Sequence, residues 1–276
     1  MLVFLSASMK YAILSLCLLC LCGFQAFAED VPLAKKVEKY RNAAEQGNAE
    51  AEYQLGLLFY LGRGVAMDED EAVKWYLKAV EQGYARAQYN LGGCYKNGIG
   101  ISKDEVEAVK WYRKSAEQGY AKAQNVLGSC YVTGTGVTRD FAEAVKWIRK
   151  AAEQGYAEAQ YGLGWFYYNG KGVAKDTIEA AKWFSKAAEQ GNPIAQCMLG
   201  RCYAFGTGVE KNRVEAYMWL NLAAMAGDVH ADESLDNLVK EMTPEQIVVA
   251  QRKAQEWKAK ERNDPSSSPE SSWSLQ

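Results

Sequence analysis

The clearest signal in this sequence is the segment Glu71–Glu81, EAVKWYLKAVE, which returns at intervals of 36 residues along the chain. Similar segments begin at Glu107, Glu143 and Glu179, and a looser copy begins at Glu215. The tryptophans of the five copies are Trp75, Trp111, Trp147, Trp183 and Trp219. Self-similarity with a period of roughly 20 to 50 residues is typical of solenoids, in which each unit buries its apolar face by stacking on copies of itself. The sequence therefore predicts a stack of five units.

Each unit contains two stretches with helical spacing, separated by a glycine-containing loop. In the second repeat, Ala87, Leu91 and Tyr95 are spaced by four residues and predict a first helix, called helix A here. Asp104 is a candidate N-cap for the following helix B. Gly92 lies inside helix A, where glycine costs stability, so it indicates a close approach of two helices. The pattern predicts an all-α fold, an α-solenoid of five 36-residue helix-turn-helix repeats with terminal capping helices.

The two ends of the chain differ in composition from the repeats. Near the start, Lys10, an apolar run and the small-residue motif Ala26–Ala28 predict a secretory signal peptide, although the apolar run is also long enough to remain as a membrane anchor. The last residues are rich in serine and proline, which is typical of disorder. The predicted organisation is a signal peptide over 1–28, a repeat solenoid over 29–242, a C-terminal helix over 243–262 and a disordered tail over 263–276.

Four cysteines follow the predicted signal peptide: Cys94, Cys130, Cys197 and Cys202. Three of them share one position of helix A, which the other repeats fill with Leu58 and Phe166. Equivalent positions of neighbouring repeats lie about 10 Å apart, whereas a disulfide requires Cα atoms within about 7 Å. We therefore expect four free thiols.

The repeated motifs A-x-A-Q-x-x-L-G-x-x-Y, G-x-G-V/I, E-A-x-K-W and A-A-E-Q-G resemble those of the Sel1-like repeat family, relatives of tetratricopeptide repeats with a longer inter-helix loop. The resemblance covers Ala34 to about Val239. It implies an α-solenoid that serves as a scaffold or adaptor for other proteins, often of the bacterial exported type. Some exported members carry a disulfide within each repeat. This chain lacks that regular cysteine pair, so such disulfides are not expected.

Composition and motifs argue against several classes of chemistry. The formal net charge of −2 is not that of a nucleic-acid binder. His230 is the only histidine, which excludes multi-histidine metal sites, and no serine is followed three residues later by lysine, as serine-based penicillin-binding chemistry requires. Regularly repeated charges such as Lys74 and Glu81 are interpreted as a solvated helix surface. We predict no catalytic residue, no metal ligand and no cofactor, and hence no enzyme.

The leading hypothesis is a periplasmic or secreted scaffold whose partner is a protein or a peptide. It predicts no nucleic-acid partner and no membrane span once the signal peptide is cleaved. Two alternatives stay open. One is a cell-wall-associated hydrolase, because certain cysteine-rich relatives carry a penicillin-binding or β-lactamase label. The other is a glycan-binding module, suggested by the 17 tyrosines and 8 tryptophans.

The partner is expected to bind along a concave groove lined by the helices A. If Leu91 and Tyr95 point inward, helical spacing turns the positions of Arg86, Tyr89 and Lys96 to the opposite face. These positions vary between repeats, whereas the core positions do not. The predicted groove residues are Tyr53, Leu57, Tyr60, Arg86, Tyr89, Lys96, Lys122, Asn125, Tyr161, Trp165, Tyr168, Arg201 and Phe205, with Cys197 beside them. Aromatic and arginine side chains are common anchors of protein interfaces.

Overall fold

The computed structural model describes residues 33–263, which form helices and connecting turns without any strand. The predicted signal peptide over 1–28 lies outside the described residues, as does the tail beyond Asn263. Within the described span, no helix has the length and apolar character needed to cross a membrane.

Thirteen helices follow one another between residues 33 and 263. They are α1 (33–45), α2 (Ala49–Leu61), α3 (Glu69–Glu81), α4 (Ala85–Asn97), α5 (Glu105–Glu117), α6 (Ala121–Thr133), α7 (Phe141–Glu153), α8 (Ala157–Asn169), α9 (Thr177–Glu189), α10 (Pro193–Phe205), α11 (Arg213–Met225), α12 (Val229–Val239) and α13 (Pro244–Asn263). Helices α2, α4, α6, α8 and α10 are the predicted helices A, and α3, α5, α7, α9 and α11 are the helices B. The all-α class and the five helix pairs are as predicted.

The chain divides into two compact units, one up to Lys103 and one from Asp104 onward. In the first unit, Val37 and Ala44 of α1 pack with Leu55 of α2 and Trp75 of α3 in one apolar cluster. In the second unit, each helix from α5 to α11 contacts the next one along the chain, and α13 packs against α11.

Local sequence signals set the ends of the helices. Helix α7 begins after Asp140, whose carboxylate accepts hydrogen bonds from the backbone N–H groups of Ala142 and Glu143 at 2.9 and 3.0 Å. Helix α8 ends at Gly170, which has a φ of +67°, the left-handed conformation that glycine adopts without steric cost. Aspartate or asparagine caps every helix B from α3 to α11 in the same way.

The glycine inside helix A allows helices A and B of one repeat to approach closely. At Gly164 of α8, an added Cβ would lie 2.7 Å from the ring of Phe184 on α9 and 3.1 Å from the carbonyl oxygen of Ala180. At Gly128 of α6, an added Cβ would lie 2.5 Å from Ile148 on α7. The close helix contact expected at these positions is therefore present.

Glutamine side chains connect neighbouring repeats through buried hydrogen bonds. In the second unit, the Nε2 of Gln160 donates to the carbonyl of Ala152 at 3.2 Å, and its Oε1 accepts from Gln190 at 2.7 Å. Gln124 makes the same pair of bonds with Ala116 and Gln154. Because a buried amide needs partners for both its donor and its acceptor, this network explains the glutamines of the A-x-A-Q and E-Q-G motifs. The repeat motifs alone had indicated no role for them.

The repeated tryptophans lie under a layer of charged side chains on helix B. Four of them are 6 to 7% exposed, namely Trp75, Trp147, Trp183 and Trp219, while Trp111 is half-buried. The ammonium group of Lys150 sits 4.1 Å from the ring centroid of Trp147. One turn away, Lys146 pairs with Glu143 at 2.9 Å, with its side chain 70% exposed. The same lysine–glutamate pair recurs on α3, α5 and α9, which confirms the interpretation of these charges as a solvated surface.

All four cysteines are buried and free, as expected. Burial raises the pKa of the Cys94 thiol to about 12 and those of Cys197 and Cys202 to about 11. A thiol must ionise to act as a strong nucleophile, so these three remain protonated near neutral pH.

Candidate functional site

The predicted groove residues of the first unit fall into two groups. Arg86 and Lys96 are exposed, and Tyr60 and Tyr89 are half-buried, so these four can contribute to a surface. Tyr53 and Leu57 are only 3% and 8% exposed. The prediction that these two residues line an open groove is wrong.

Tyr53 is buried because two other tyrosines cover it. Its ring lies 5.3 Å from that of Tyr84 and 6.1 Å from that of Tyr76, measured between centroids. Leu57 follows one turn later on the same side of α2 and shares this covered position. In the fourth repeat, Asn192 replaces the covering tyrosine, and Tyr161, the counterpart of Tyr53, is half-buried. The second repeat keeps the covering residue as Tyr120, yet Tyr89 is half-buried, so burial at this position differs from repeat to repeat.

In the second unit, two of the predicted groove residues on α8, Tyr161 and Tyr168, pack partly against α9. The rings of Tyr161 and Tyr168 lie 6.0 and 6.4 Å from the ring of Phe184 on α9. Burial raises the pKa of the Tyr161 hydroxyl. Both tyrosines therefore support the helix pair and expose only part of their rings. Lys122 and Asn125 on α6 are also half-buried.

Trp165 lies between these two tyrosines and makes a different set of contacts. Its ring meets Phe166 edge to face at 5.4 Å between centroids, and the ammonium group of Lys171 lies 5.1 Å from its centroid. The indole is half-buried. Its counterparts in the other repeats are Leu57, Gly93, Ser129 and Arg201. Because the repeat accepts such different residues here, the fold does not require an indole at this position.

Two of the predicted groove residues on α10 are exposed. Arg201 is exposed, and Phe205, one turn later, is 74% exposed, the second highest value among the exposed large apolar side chains of the described residues. Cys197 lies on the same helix but is only 3% exposed. The prediction that it lies beside an open groove is therefore wrong. It packs in an apolar cluster with Leu220 and Ala231.

Arg201 and Phe205 border a cleft of about 360 Å³ between α10 and α12. The opposite wall of the cleft comes from His230, Ser234, Asn237 and Glu241. These four stand 36 residues after Ile194, Met198, Arg201 and Phe205, so α12 presents the face that helix A presents in a full repeat. We call this surface the A face; in the second unit it carries Trp165, Arg201, Phe205 and Asn237.

The sequence predicted terminal capping helices, but the predicted groove positions stopped at the fifth repeat and did not include α12. Adding 36 to the residue numbers of Arg201 and Phe205 would have identified Asn237 and Glu241 as candidates. The enclosing shape of the cleft has no equivalent signal in the sequence, because it depends on how far α10 and α12 separate.

Among residues 33–263, no group of three or more histidine, cysteine, aspartate or glutamate side chains is arranged to hold a metal ion. His230 is exposed at the rim of the cleft. The arrangement is suited to contacts with another molecule through aromatic, arginine and amide groups.

The comparisons with known proteins agree with the repeat pattern. The Sel1 repeat family matches five consecutive segments, at residues 49–84, 85–120, 121–156, 157–192 and 193–228. A Sel1 repeat protein from Oxalobacter formigenes of known structure is 38% identical over 83% of this chain and 94% of its own length, with a TM-score of 0.68.

Two other solved structures are less similar. A protective antigen with an SLR fold from uropathogenic Escherichia coli is 26% identical, over 83% of this chain and 72% of its own, with a TM-score of 0.40. Cysteine rich protein B of Helicobacter pylori is 28% identical, over 48% of this chain and 96% of its own, with a TM-score of 0.40. The comparison with curated proteins found no match. The five matched segments and the helix pairs within them show that this chain belongs to the Sel1 repeat family.

Proposed function

We propose that this protein is an exported scaffold that binds another protein or a peptide through its A face. The observation that carries the proposal is the set of large side chains there that the repeat itself does not need. Trp165, Arg201 and Phe205 are accessible. Trp165 and Arg201 share one repeat position, which the other repeats fill with Leu57, Gly93 and Ser129, and Phe205 corresponds to Leu61, Asn97, Thr133 and Asn169.

The chemistry of these side chains supports a protein partner. Aromatic and arginine residues are enriched among the anchors of protein interfaces, where they fill pockets and exclude water. Repeat proteins commonly use one face of the stack as an extended binding surface. Export rests on the predicted signal peptide over 1–28, which lies outside the described residues.

The test uses substitutions that other repeats already contain at the equivalent positions. Trp165→Ser introduces the residue of the third repeat, and Phe205→Asn that of the second and fourth. The tagged full chain, in wild-type and double-variant form, would be crosslinked in the cells that express it natively and its bound proteins quantified by mass spectrometry. We expect the double variant to lose about tenfold or more of a specifically captured protein.

A matched control removes exposed apolar surface from helices B. Val106 and Ile178 are 56% and 60% exposed and correspond to Ala142 in the third repeat. The variant Val106→Ala with Ile178→Ala should capture the partner as the wild type does. The proposal fails if the Trp165 and Phe205 variant remains folded by circular dichroism and captures the same proteins in the same amounts.

A further inference from the structure

The cleft between α10 and α12 has an apolar floor and polar walls. Leu220 and Leu238 form the floor and are 0% and 7% exposed. Its volume of about 360 Å³ lies at the lower end of the range of roughly 300 to 1,000 Å³ that is usual for ligand pockets. The exposed ring of Phe205 stands at its edge. A cleft of this kind accommodates one large apolar side chain together with a short stretch of backbone.

Three charged side chains form a cluster at one end of the cleft. Glu241 accepts a hydrogen bond from Arg213 at 2.8 Å and lies 3.9 Å from the ammonium group of Lys211. These two cations lower the pKa of the Glu241 carboxyl. With two cations and one carboxylate, this cluster at one end of the cleft has a net positive charge.

Arg201 and Glu233 stand apart from that cluster. Within the part of the chain that the structure describes, neither side chain takes part in a salt bridge, and both are exposed. Arg201 belongs to the α10 wall and Glu233 to the α12 wall. The α10 wall thus offers one arginine outside any salt bridge and the opposite wall one such carboxylate, beside a cluster whose net charge is positive.

We propose that this cleft binds an extended peptide segment that carries a single acidic side chain close to a large apolar one. The guanidinium of Arg201 forms the charge-assisted hydrogen bonds to the carboxylate, for which arginine is geometrically suited. The apolar side chain enters between Phe205 and the leucine floor. Asn237 accepts from Lys240 at 3.2 Å through its Oδ1, so its amide N–H groups can donate to a peptide carbonyl.

Glu233 makes the recognition selective. A second or third acidic residue on the peptide would come close to this carboxylate, and like charges at an interface are unfavourable. The cleft therefore favours one acid over a run of acids. This inference rests on the proposed function and adds the chemical character of the bound segment.

The experiment uses the full chain and an array of acetylated, amidated peptides. In one set, a single Asp or Glu stands at each distance of up to about three residues from Leu, Phe or Trp. A second set replaces the acid by Asn or Gln, and a third surrounds the apolar residue with several acids. We expect the peptides with a single acid to bind about tenfold more tightly than the otherwise identical peptides with Asn or Gln. They should exceed the peptides with several acids by a similar factor.

Variants assign the preference to individual residues. Arg201→Gln should abolish the difference between acid and amide peptides, whereas Arg252→Gln on α13, which removes an arginine 69% exposed elsewhere, should leave it unchanged. Glu233→Gln should raise the affinity for the multiply acidic peptides. The inference is overturned if the wild type binds no peptide of the array, binds acid and amide twins equally, or keeps its preference in Arg201→Gln.

These outcomes differ from a failure of the proposed function. Peptides that bind through Phe205 and Trp165 without any acid preference would overturn the cleft inference and leave the A face as the binding surface. Peptide binding in the array without any A-face-dependent capture in cells would support the cleft and contradict the scaffold.

Discussion

The side chain that departs most from the repeat pattern is Glu52. In the later repeats its position holds Gln124, Gln160 and Gln196, each of which donates to the carbonyl eight residues earlier. Glu52 still accepts a hydrogen bond, from the Nε2 of Gln82 at 2.7 Å. Its carboxylate has no hydrogen, so it cannot donate to a carbonyl as the glutamines do. Glu52 is 4% exposed, and this burial raises the pKa of its carboxyl. The hydrogen bond from Gln82 and the charge of Lys78 lower this pKa in part, whereas the charge of Glu81 raises it further.

We expect Glu52→Gln to stabilise the protein near neutral pH. The new amide should donate to the carbonyl of Ala44, which stands where Ala116 stands relative to Gln124, and one such bond contributes about 1 kcal/mol to the free energy of unfolding. Urea unfolding would measure the gain. Glu50→Gln, at an exposed position of the same helix, is the control and should change little.

The gain should depend on pH with a definite sign. Because the folded-state pKa of Glu52 lies above the unfolded-state value, the folded protein binds more protons in the window between them, and wild-type stability falls as the pH rises through it. The advantage of Glu52→Gln should therefore shrink on acidification from about pH 7 towards the unfolded-state pKa of about 4.3. A pH-independent advantage would contradict the buried-carboxyl explanation.

Trp147 tests whether the repeated tryptophans stabilise the fold. It is 7% exposed, and its indole N–H donates to Glu143 at 2.9 Å. Trp147→Ala should lower the free energy of unfolding by about 3 to 5 kcal/mol, the usual cost of truncating a buried aromatic side chain. Trp165→Ala removes the same atoms from a half-buried site and should cost clearly less. Equal losses, or no loss at Trp147, would contradict the packing described for helix B.

At the scale of the helices, two glycines of α8 have opposite roles. Gly164 faces α9, where an added Cβ would lie 2.7 Å from Phe184 and 3.1 Å from the carbonyl of Ala180. Gly162 lies half a turn away, and its nearest neighbour to an added Cβ is Ile148 at 3.5 Å, an ordinary van der Waals distance. One glycine permits the contact between helices, and the other only lowers helix propensity.

Alanine at the two positions should therefore shift stability in opposite directions. Gly164→Ala should destabilise by roughly 1 to 3 kcal/mol, because it overpacks the contact between α8 and α9. Gly162→Ala should stabilise by about 0.5 to 1 kcal/mol, since alanine is the better helix former. Chemical denaturation of the two variants would compare them, and effects of the same sign would contradict the assigned helix faces.

For the molecule as a whole, the last helix closes the apolar surface of the fifth repeat. Ala250 and Ala254 of α13 are 0% and 2% exposed, and Trp257 meets Trp219 of α11 at 6.0 Å between ring centroids. Lys253 of α13 also forms an ion pair with Glu215 of α11. Such contacts fit the role of a terminal cap, which a stack needs wherever the next repeat is missing.

Removal of this cap should weaken the end of the second unit. A chain that stops after Met242 should lose roughly 2 to 4 kcal/mol of stability, because it exposes the apolar surface that α13 covers, and the amide protons of α11 should exchange faster. A chain that stops after Asn263 keeps the helix and serves as the control. If both truncations show the same stability and the same exchange in α11, α13 does not act as a cap.

Much of the fold could be predicted because its determinants are local and repeated. Asp104 and Asp140 cap helices through side chains two or three residues from the bonded N–H groups, so their role follows from spacing alone. The candidate surface was harder to predict. Tyr53 and Tyr161 occupy the same repeat position, yet only the first is buried, and nothing in the spacing of the repeat indicates this difference.

The amino-acid sequence by itself determined the class, number and register of the helices, since the 36-residue period, the caps and the glycines act within a few residues or between identical copies. Only the tertiary structure decided which side chains are accessible and where a cleft opens. Accessibility depends on side chains that folding brings together from separate helices, and these side chains do not all follow the period. The cleft between α10 and α12 therefore appears only when the two helices are placed side by side.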